Sequence, residues 1–357
     1  MFSSDLQQKI DSLKELRSEI SLGNVKFSSP LLLAPMSMIC SAPYRLLMEE
    51  LGAGGTVSEL VSCHGILHGN KKTRKMLSID PREKNVGIQL FGEDASSMSE
   101  AAIVAQEFGP KFIDINMGCP VKKVVTKGAG SALLKEPKKL GRFLREIKKA
   151  IDIPLTIKIR TGWDTDSTNA DEIIKIAHEE GIEFVAVHGR TRAQGYSGLA
   201  KWDYLEKLAQ NSSIPIIGNG DLHHPILVKK RLGVTNCQAL MLGRGPLRDP
   251  FIFLKSFDKN DKIAFYPKDY LEVILTLKKL LEEYHQAEYA KTVLIQLRKF
   301  ILWFSSGFSG ASKFRELLFK SGDIQETLNL CEDFFLSLGD VQKRINFDSP
   351  FMTSGHG

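Results

Sequence analysis

The sequence predicts an α/β fold, namely a (β/α)8 TIM barrel followed by a small C-terminal helical-bundle domain. Short apolar runs recur at fairly even intervals up to about residue 243, and helical patterns lie between most of them. Several runs are apolar at nearly every position, as expected for parallel strands that are buried on both faces. Strands that alternate with helices in this way are typical of a barrel.

The individual elements can be predicted in chain order. The predicted strands are LLLA (31–34), GTVSE (55–59), VGIQLF (86–91), FIDIN (112–116), LTIKI (155–159), EFVAVH (183–188), IPIIGN (214–219) and ALMLG (239–243). The helical patterns between them include 94–108, 136–151 and 169–181, with Asp94 and Asn169 as predicted N-caps and Gly181 as a predicted C′ residue. A doubly wound sheet is the alternative, but it would carry a glycine fingerprint after its first strand. We reject it because the cluster GAGG (52–55) precedes a strand instead.

The chain is predicted to divide into four segments. These are an N-terminal extension (1–20), the barrel (21–255), a helical domain (256–345) and a disordered tail (346–357). The helical domain is predicted because its residues carry helical periodicity and no strand signal. The extension has an amphipathic helical pattern, to which the sequence assigns no role.

The composition is that of an ordinary globular protein: 357 residues, 43% hydrophobic and 25% charged, with a formal net charge of +6. A mildly basic chain is compatible with a polyanionic partner. The five cysteines are dispersed without a C-x-x-C, which argues against a disulfide framework or an iron–sulfur cluster and favours the cytoplasm. His64 and His68 have no third ligand in the pattern, so no metal is expected. Neither a signal peptide nor a membrane span is expected, because the N-terminus has no apolar core region.

Polar or glycine residues follow nearly every predicted strand, at the end of the barrel where chemistry takes place. The residues at these strand ends are Pro35, Met36, Glu59, Gln89, Asn116, Cys119, Lys158, Arg160, His188, Asn219, Gly220, Asp221, Gly243 and Arg244. The last two loops, GNGD and LGRG, are glycine-rich, and barrels commonly bind phosphate there through backbone N–H groups and a nearby cation such as Arg244.

A flavin mononucleotide (FMN) would fit the remaining groups. Lys158 and Gln89 can reach the pyrimidine edge of its ring, and Met36 offers a soft apolar contact. Each also has a structural interpretation. Gln89 could cap a strand end, Lys158 could pair with a barrel carboxylate, and Met36 could belong to the core.

Cys119 lies on a loop after a strand, between a glycine and a proline. A thiol there could be a nucleophile, a metal ligand, a general acid or an inert residue. Cysteine nucleophiles usually need a partner histidine, and no sequence feature pairs one with Cys119. A thiol with an ordinary pKa of about 8.5 is mostly protonated at neutral pH and can donate a proton. Beside a flavin, that proton would complement hydride transfer to a C=C bond.

Several long motifs point to one family. They are APMSMICSAPYR (34–45), GIQLFG (87–92), DINMGCPVKKVVTKGAGSALL (114–134), IKIRTGW (157–163), VHGRTRAQGYSG (187–198), PIIGNGD (215–221), MLGRGPLRDPFIF (241–253) and LRKFILWFSSGFSGASKFRELL (297–318). With these motifs the sequence resembles the tRNA dihydrouridine synthase family, most closely its bacterial B-type branch. The resemblance covers nearly all of residues 25–340.

The resemblance implies an enzyme that reduces the C5–C6 double bond of specific uridines in tRNA, in the D-loop, to 5,6-dihydrouridine. Cys119 would give a proton to uracil C5 while hydride passes from the flavin N5 to C6, and NADPH (or NADH) would reduce the flavin. The residues expected to hold FMN are Pro35, Met36, Ser37, Gln89, Asn116, Lys158, His188, Asn219, Gly220, Asp221, Gly243 and Arg244. One run departs from the family pattern. Family members carry a small residue, a glycine and then Thr-Asp after the Pro-Met, whereas this chain has the run 37–41, SMICS.

Binding of tRNA has support from the residues themselves. The segment from Lys291 to Lys320 contains six basic residues and one acidic residue, Glu316, with aromatic residues interleaved among them. Basic side chains can hold phosphates, while most of the aromatics are expected in the helical core. The expected tRNA contacts are Lys122, Lys123, Arg190, Arg192, Arg298, Lys299, Lys313 and Arg315. A monomer is expected.

Two other functions remain as alternatives. One is a flavin-dependent dehydrogenase of a free pyrimidine on the same barrel, in which the basic helical domain would have no purpose. The other is a non-catalytic RNA-binding barrel, against which the intact Cys119, Lys158 and glycine-rich loops argue.

Overall fold

The computed structural model describes residues 1–285 and 290–344. The chain begins with helix α1 (Ser4–Lys14) and the hairpin strands β1 (Ile20–Leu22) and β2 (Val25–Phe27). The barrel strands are β3 (Leu31–Leu33), β4 (Thr56–Ser62), β5 (Val86–Phe91), β6 (Phe112–Met117), β7 (Leu155–Arg160), β8 (Val185–His188), β9 (Ile216–Asn219) and β10 (Ala239–Leu242). Within the described residues these eight strands pair in parallel, in the order β3-β10-β9-β8-β7-β6-β5-β4. A parallel bridge between Leu32 and Gly55 closes the ring, so the predicted (β/α)8 barrel is confirmed.

Helices separate the barrel strands and continue after the last one. Those of the barrel are α2 (Ala42–Glu50), α3 (Cys63–Leu67), α4 (Lys71–Lys75), α5 (Ala95–Gln106), α6 (Lys122–Val125), a 3-10 turn (Gly130–Lys135), α7 (Pro137–Ala150), α8 (Ala170–Glu179), α9 (Trp202–Asn211), α10 (Pro225–Leu232), α11 (Gly245–Arg248) and α12 (Ile252–Phe257). The C-terminal helices are α13 (Pro267–Tyr284), α14 (Ala290–Ser305), α15 (Ala311–Lys320) and α16 (Ile324–Ser337). The predicted tail at 346–357 lies outside the described residues.

Local chemistry explains where the helices begin and end. The Asp94 carboxylate accepts a hydrogen bond of 2.8 Å from the Ser97 backbone N–H, which caps the start of α5 as predicted. Gly181 follows α8 with φ at 71°, a left-handed conformation that glycine adopts without strain. Asn169 stands at the predicted N-cap of α8, but its side-chain amide donates to the Leu134 carbonyl at 2.8 Å instead.

The hairpin β1–β2 plugs the amino-terminal end of the barrel. Phe27 is 2% exposed and lies edge-on to Phe112 and Phe184, with ring centroids 5.9 Å from each. These rings belong to an apolar cluster inside the barrel that is separate from the larger core between the strands and the helices. The barrel is therefore a packed core that opens only at the other end.

Helix α1 joins the barrel to the C-terminal helices. Lys9 forms an ion pair of 3.0 Å with the buried Asp269 at the start of α13, and Lys14 pairs with Glu50 of α2 at 3.2 Å. The Ser3 hydroxyl donates to Glu272 at 2.8 Å. The extension, to which the sequence assigns no role, thus contacts both parts of the fold.

The aromatic residues of the basic C-terminal segment are mainly core residues, as expected. Phe300, Phe304, Phe308 and Phe314 are buried. Phe300 stacks on Tyr44 of α2 with centroids 4.8 Å apart, which packs the helical part against the barrel.

Replacing Phe27 should destabilise the protein strongly, because its ring fills the closed end of the barrel. We expect Phe27→Ala to lower the free energy of unfolding by about 3–5 kcal/mol, as measured by urea denaturation. The matched control is Lys26→Ala, at the exposed neighbouring position of the same strand, which should change stability by less than about 0.5 kcal/mol. Equal stability of the two variants would contradict the plug.

Candidate active site

A cavity of about 1520 Å³ opens at the carboxyl ends of the barrel strands. Its wall includes Lys299 and Trp303 of α14, so the helical part completes it. The predicted residues that line it are Pro35, Met36, Ser37, Gln89, Asn116, Cys119, Lys123, Lys158, His188, Arg192, Asn219, Gly220, Asp221, Gly243 and Arg244. The cavity exceeds the usual size of a site for one small ligand, which leaves room for a cofactor and a substrate nucleotide together.

A chain of hydrogen bonds runs from the barrel interior to the cysteine loop. The buried Asp114 carboxylate accepts from Thr156 Oγ1 and from Gln89 Nε2, both at 2.7 Å. Gln89 Oε1 in turn accepts from Asn116 Nδ2 at 2.9 Å. Asn116 Oδ1 then accepts from the Cys119 backbone N–H at 2.8 Å. Each amide orientation follows from the one before it, so the thiol loop is held by β5 and β6.

The Cys119 thiol is half-buried, and burial raises its pKa above the ordinary value. The nearby cations of Arg160 and Lys158 oppose this rise but do not cancel it. The raised pKa keeps the thiol protonated at neutral pH. Such a group is a proton donor rather than a ready nucleophile.

Arg160 is a structural cation beside the thiol. Its buried guanidinium donates to the Gly118 carbonyl at 2.8 Å, and to the carbonyls of Thr191 and Gly195 at 2.9 and 2.8 Å. Burial lowers its pKa to about 10, so it remains charged at neutral pH. It ties the Cys119 loop to the loop after β8.

Lys158 places a second cation within the cavity. Its Nζ donates to Asn219 Oδ1 at 3.3 Å. Burial, with the like charge of Arg160, lowers the pKa of Lys158 to about 8, while Asp114 acts in the opposite direction. The ammonium form therefore predominates at pH 7. Gln89 keeps one amide hydrogen and one lone pair beyond its hydrogen bonds to Asp114 and Asn116.

His188 has the features of a cofactor ligand. It is 9% exposed and lines the cavity, and its Nδ1 is a buried atom without a hydrogen-bond partner among the described residues. Burial lowers the pKa of His188 well below the ordinary value, with the surrounding cations adding to the effect. A neutral imidazole with an unused ring nitrogen suits a polar ligand atom in the cavity.

The glycine-rich loops after β9 and β10 are joined through Asp221. Its carboxylate forms an ion pair of 2.9 Å with Arg190, accepts from the Ala200 backbone N–H at 2.7 Å, and lies 3.7 Å from Arg244. At Gly243 an added Cβ would meet only Ala34 and Met36, at 3.8 Å, so the backbone there borders the cavity. The cation of Arg244 beside this bare backbone fits the phosphate of a nucleotide cofactor.

The structure corrects the expected tRNA contact at Arg190 and gives Arg298 a partner within the protein. Arg190 is 2% exposed and donates to the Ser197 and Gly198 carbonyls as well as pairing with Asp221, so it holds the loop after β8. Arg298 donates to the Ser321 carbonyl and, at 2.9 Å, to its hydroxyl, which occupies it at the end of α15. The Arg190 guanidinium is therefore not presented to a partner molecule, whereas the Arg298 side chain remains partly exposed.

The other expected tRNA contacts have positions that suit the prediction. Lys122, Lys123, Lys313 and Arg315 are exposed. Arg192 stacks on Trp163, with its guanidinium carbon 4.3 Å from the ring centroid, and lines the cavity with Lys123 and Lys299. Cations from both the barrel and the helical part thus line the cavity.

Sequence reasoning missed the cavity residue Tyr196 and gave Trp303 no role in the site, although it singled out Met38 within the departing run 37–41. Tyr196 lies between Arg160 and Arg244, with its ring centroid 5.8 and 5.0 Å from their guanidinium carbons. Met38 and Trp303 line the same cavity. The sequence could not show that Tyr196 and Trp303 line the same cavity, because they lie beyond the strand ends and on separate parts of the fold.

The part of the chain that the structure describes contains no candidate metal cluster and no candidate membrane span. There, no group of three or more His, Cys, Asp and Glu side chains could hold a metal ion. Within 1–285 and 290–344, no helix is long and apolar enough to cross a membrane.

Comparison with known proteins identifies the family. The family model for dihydrouridine synthase matches residues 32–338. The chain belongs to the dihydrouridine synthase family. It is 36% identical over 329 residues to the tRNA-dihydrouridine synthase B of Pasteurella multocida, covering 91% of this chain and 98% of that protein. The protein of the same name from Escherichia coli K12 is 36% identical, with 88% of this chain and 98% of that protein covered. The resemblance to the B-type branch is therefore confirmed.

Solved structures of other enzymes share the fold at low sequence identity. A 2-naphthoyl-CoA reductase matches with a TM-score of 0.53 and 13% identity, covering 69% of this chain and 52% of that one. A histamine dehydrogenase from Rhizobium sp. 4-9 matches with a TM-score of 0.53 and 12% identity, covering 73% and 51%. This chain spans about half the length of each. The likeness supports the barrel assignment.

Alkylation of the native protein should occur first at Cys119, and slowly at neutral pH. The other four cysteines are buried, whereas burial of Cys119 is partial but still raises its pKa. Since the thiolate is the reactive form, we expect the rate with iodoacetamide to keep rising above pH 9. Mass spectrometry of timed samples measures this, with urea-unfolded protein as the control in which all five thiols react. Rapid modification of native Cys119 at pH 7 would contradict a protonated thiol.

Proposed function

We propose that this protein reduces the C5–C6 double bond of uridines in the D-loop of tRNA to 5,6-dihydrouridine, with FMN as cofactor and NADPH, or NADH, as reductant. The observation that carries the proposal is the Cys119 thiol in a cation-lined cavity of a dihydrouridine synthase family member. The relatives named above are tRNA-dihydrouridine synthases, which supports tRNA as substrate. The five free thiols are compatible with a reducing cytoplasm.

The residues of the cavity fit FMN. The proposed phosphate site combines Arg244 with the backbone at Gly220 and Gly243. Lys158, Gln89 and the unpartnered Nδ1 of His188 are proposed to face the polar edge of the ring. Pro35, Met36 and Ser37 supply the surface after β3, and Asn116 and Asn219 orient Gln89 and Lys158. The Asp221 carboxylate is engaged by Arg190, so its proposed contribution is from the backbone.

The chemistry divides between cofactor and protein. When bound, the flavin supplies hydride for uracil C6. The Cys119 thiol donates its proton to C5, and the resulting thiolate lies near the cations of Lys158 and Arg160, which stabilise it until it regains a proton from solvent. The hydrogen bond from the Cys119 backbone to Asn116 keeps the thiol in position for this step.

Replacing the thiol should separate cofactor binding from catalysis. We expect Cys119→Ala to remain yellow, to release FMN on denaturation and to keep oxidising NADPH through its flavin. Its rate of uridine reduction in tRNA should fall by about 10²–10⁴, the usual loss for a general acid. Absorbance spectra measure the bound flavin. Dihydrouridine mapping measures uridine reduction, in tRNA from cells with and without the gene. The parent protein is the reference. A second variant, Asn116→Ala, keeps the thiol but removes the hydrogen bond that holds its backbone, and it should lose less activity than Cys119→Ala.

Three results would count against the proposal. Colourless protein that also takes up no added FMN would exclude the cofactor. Unchanged dihydrouridine in cells without the gene would exclude the substrate. Faster reduction of free uridine than of uridine in tRNA would favour the free-pyrimidine dehydrogenase.

Exposed cations on α15 should contribute to tRNA affinity. We expect Lys313→Ala/Arg315→Ala to weaken binding and to reduce the slope of log affinity against log salt concentration by roughly two, because each phosphate contact releases about one counterion. Electrophoretic or fluorescence titrations at several salt concentrations measure this. The matched control is Lys111→Ala/Lys149→Ala, two exposed lysines at the opposite end of the barrel. Identical slopes for both double variants would place the docking surface elsewhere.

A further inference from the structure

Met38 has an unusual backbone conformation at the edge of the cavity. Its φ is 61°, in the left-handed region that costs energy for a residue with a side chain. Its side chain is 68% exposed and lines the cavity, whereas that of Met36, two residues earlier, is 8% exposed. Met36 is therefore nearly buried in the cavity wall, whereas Met38 is open to solvent.

The strained turn is held by specific contacts. The Met36 carbonyl accepts from the backbone N–H groups of Ile39 and Cys40, at 3.3 and 3.0 Å. The Glu59 carboxylate accepts from the Met38 backbone N–H. Strain of this kind persists where the surroundings determine the conformation, and it is concentrated at sites that bind ligands. An exposed thioether gains nothing for the core, so core packing does not account for Met38.

Two residues of α14 line the same cavity. Lys299 and Trp303 are four residues apart, so they share one face of the helix. The Trp303 ring is partly exposed and is braced edge-on by Phe300, with centroids 5.4 Å apart. A thioether and an indole offer polarisable surfaces to a nucleobase, and an ammonium group attracts a phosphate.

We propose that Met38, Trp303 and Lys299 form a rim subsite that binds a nucleotide next to the target uridine in the tRNA. This inference rests on the proposed function. A uridine that leaves its stack to enter a deep pocket deprives the neighbouring base of a stacking partner. Met38 and Trp303 replace that partner, and Lys299 holds the adjoining phosphate. Glu59 is a positioning residue that acts through the Met38 backbone.

The test measures tRNA binding without turnover, in holoenzyme that carries Cys119→Ala. We expect Met38→Gly in this background to raise the Kd for tRNA about two- to tenfold, the range of a sulfur–aromatic contact. Its Tm should not fall, because glycine adopts a φ of 61° without strain. Met38→Leu keeps an apolar surface but loses the sulfur–aromatic contact, so its Kd should lie between those of the parent and of Met38→Gly. Val234→Ala is the control: this residue is 66% exposed and lies outside the cavity lining, so Kd should not change.

An abasic scan identifies the nucleotide. We expect the difference in Kd between the parent and Met38→Gly to vanish when one nucleotide adjoining the target uridine is abasic. Persistence of the difference at both adjoining positions, or its loss only at the target uridine, would overturn the assignment to a neighbour. An unchanged Kd in Met38→Gly would overturn the subsite altogether, as would a fall in Tm with loss of flavin. Failure of the proposed function is distinct, since it shows in the parent protein as absence of dihydrouridine formation.

Discussion

The buried carboxylate of Asp114 determines the orientation of the groups around the Cys119 thiol. It receives hydrogen bonds from Thr156 and Gln89, and through the Gln89 amide it fixes Asn116, whose carbonyl oxygen holds the Cys119 backbone. Burial raises the pKa of Asp114 to about 6, which shows that the barrel interior disfavours its charge. The hydrogen bonds offset part of that cost. Without this acceptor, two buried donors would lose their partner and the amides could turn over.

The cavity is a joint product of the barrel and the C-terminal helices. The barrel supplies the strand ends, and α14 supplies Lys299 and Trp303 to the wall. Helix α1 and the stacking of Phe300 on Tyr44 hold the two parts together through charged and aromatic contacts. Positioning of α14 over the opening therefore depends on contacts far from the thiol.

Cationic side chains of the barrel and of the C-terminal helices fall into two groups. Arg160 and Arg190 are buried and donate to backbone carbonyls, so they hold the loops after β6 and β8 in place. Lys123, Lys313 and Arg315 are exposed, so their charges are accessible to the phosphate groups of a partner molecule. A residue type alone does not distinguish these tasks, because the difference lies in burial and in the nearest acceptor.

The sequence by itself determined the barrel, the strand ends that form the cavity and the position of Cys119 on a loop after one of those strands. Those features follow from local apolar patterns and from motifs whose residues are near one another in the chain. Only the tertiary structure decided that Arg190 pairs with Asp221, that Arg298 donates to Ser321, and that Met38 and Trp303 line the same cavity. These relations join residues that are distant in sequence or depend on a backbone angle. Periodicity and composition carry no information about contacts between distant residues or about a single backbone angle, because packing between elements determines both.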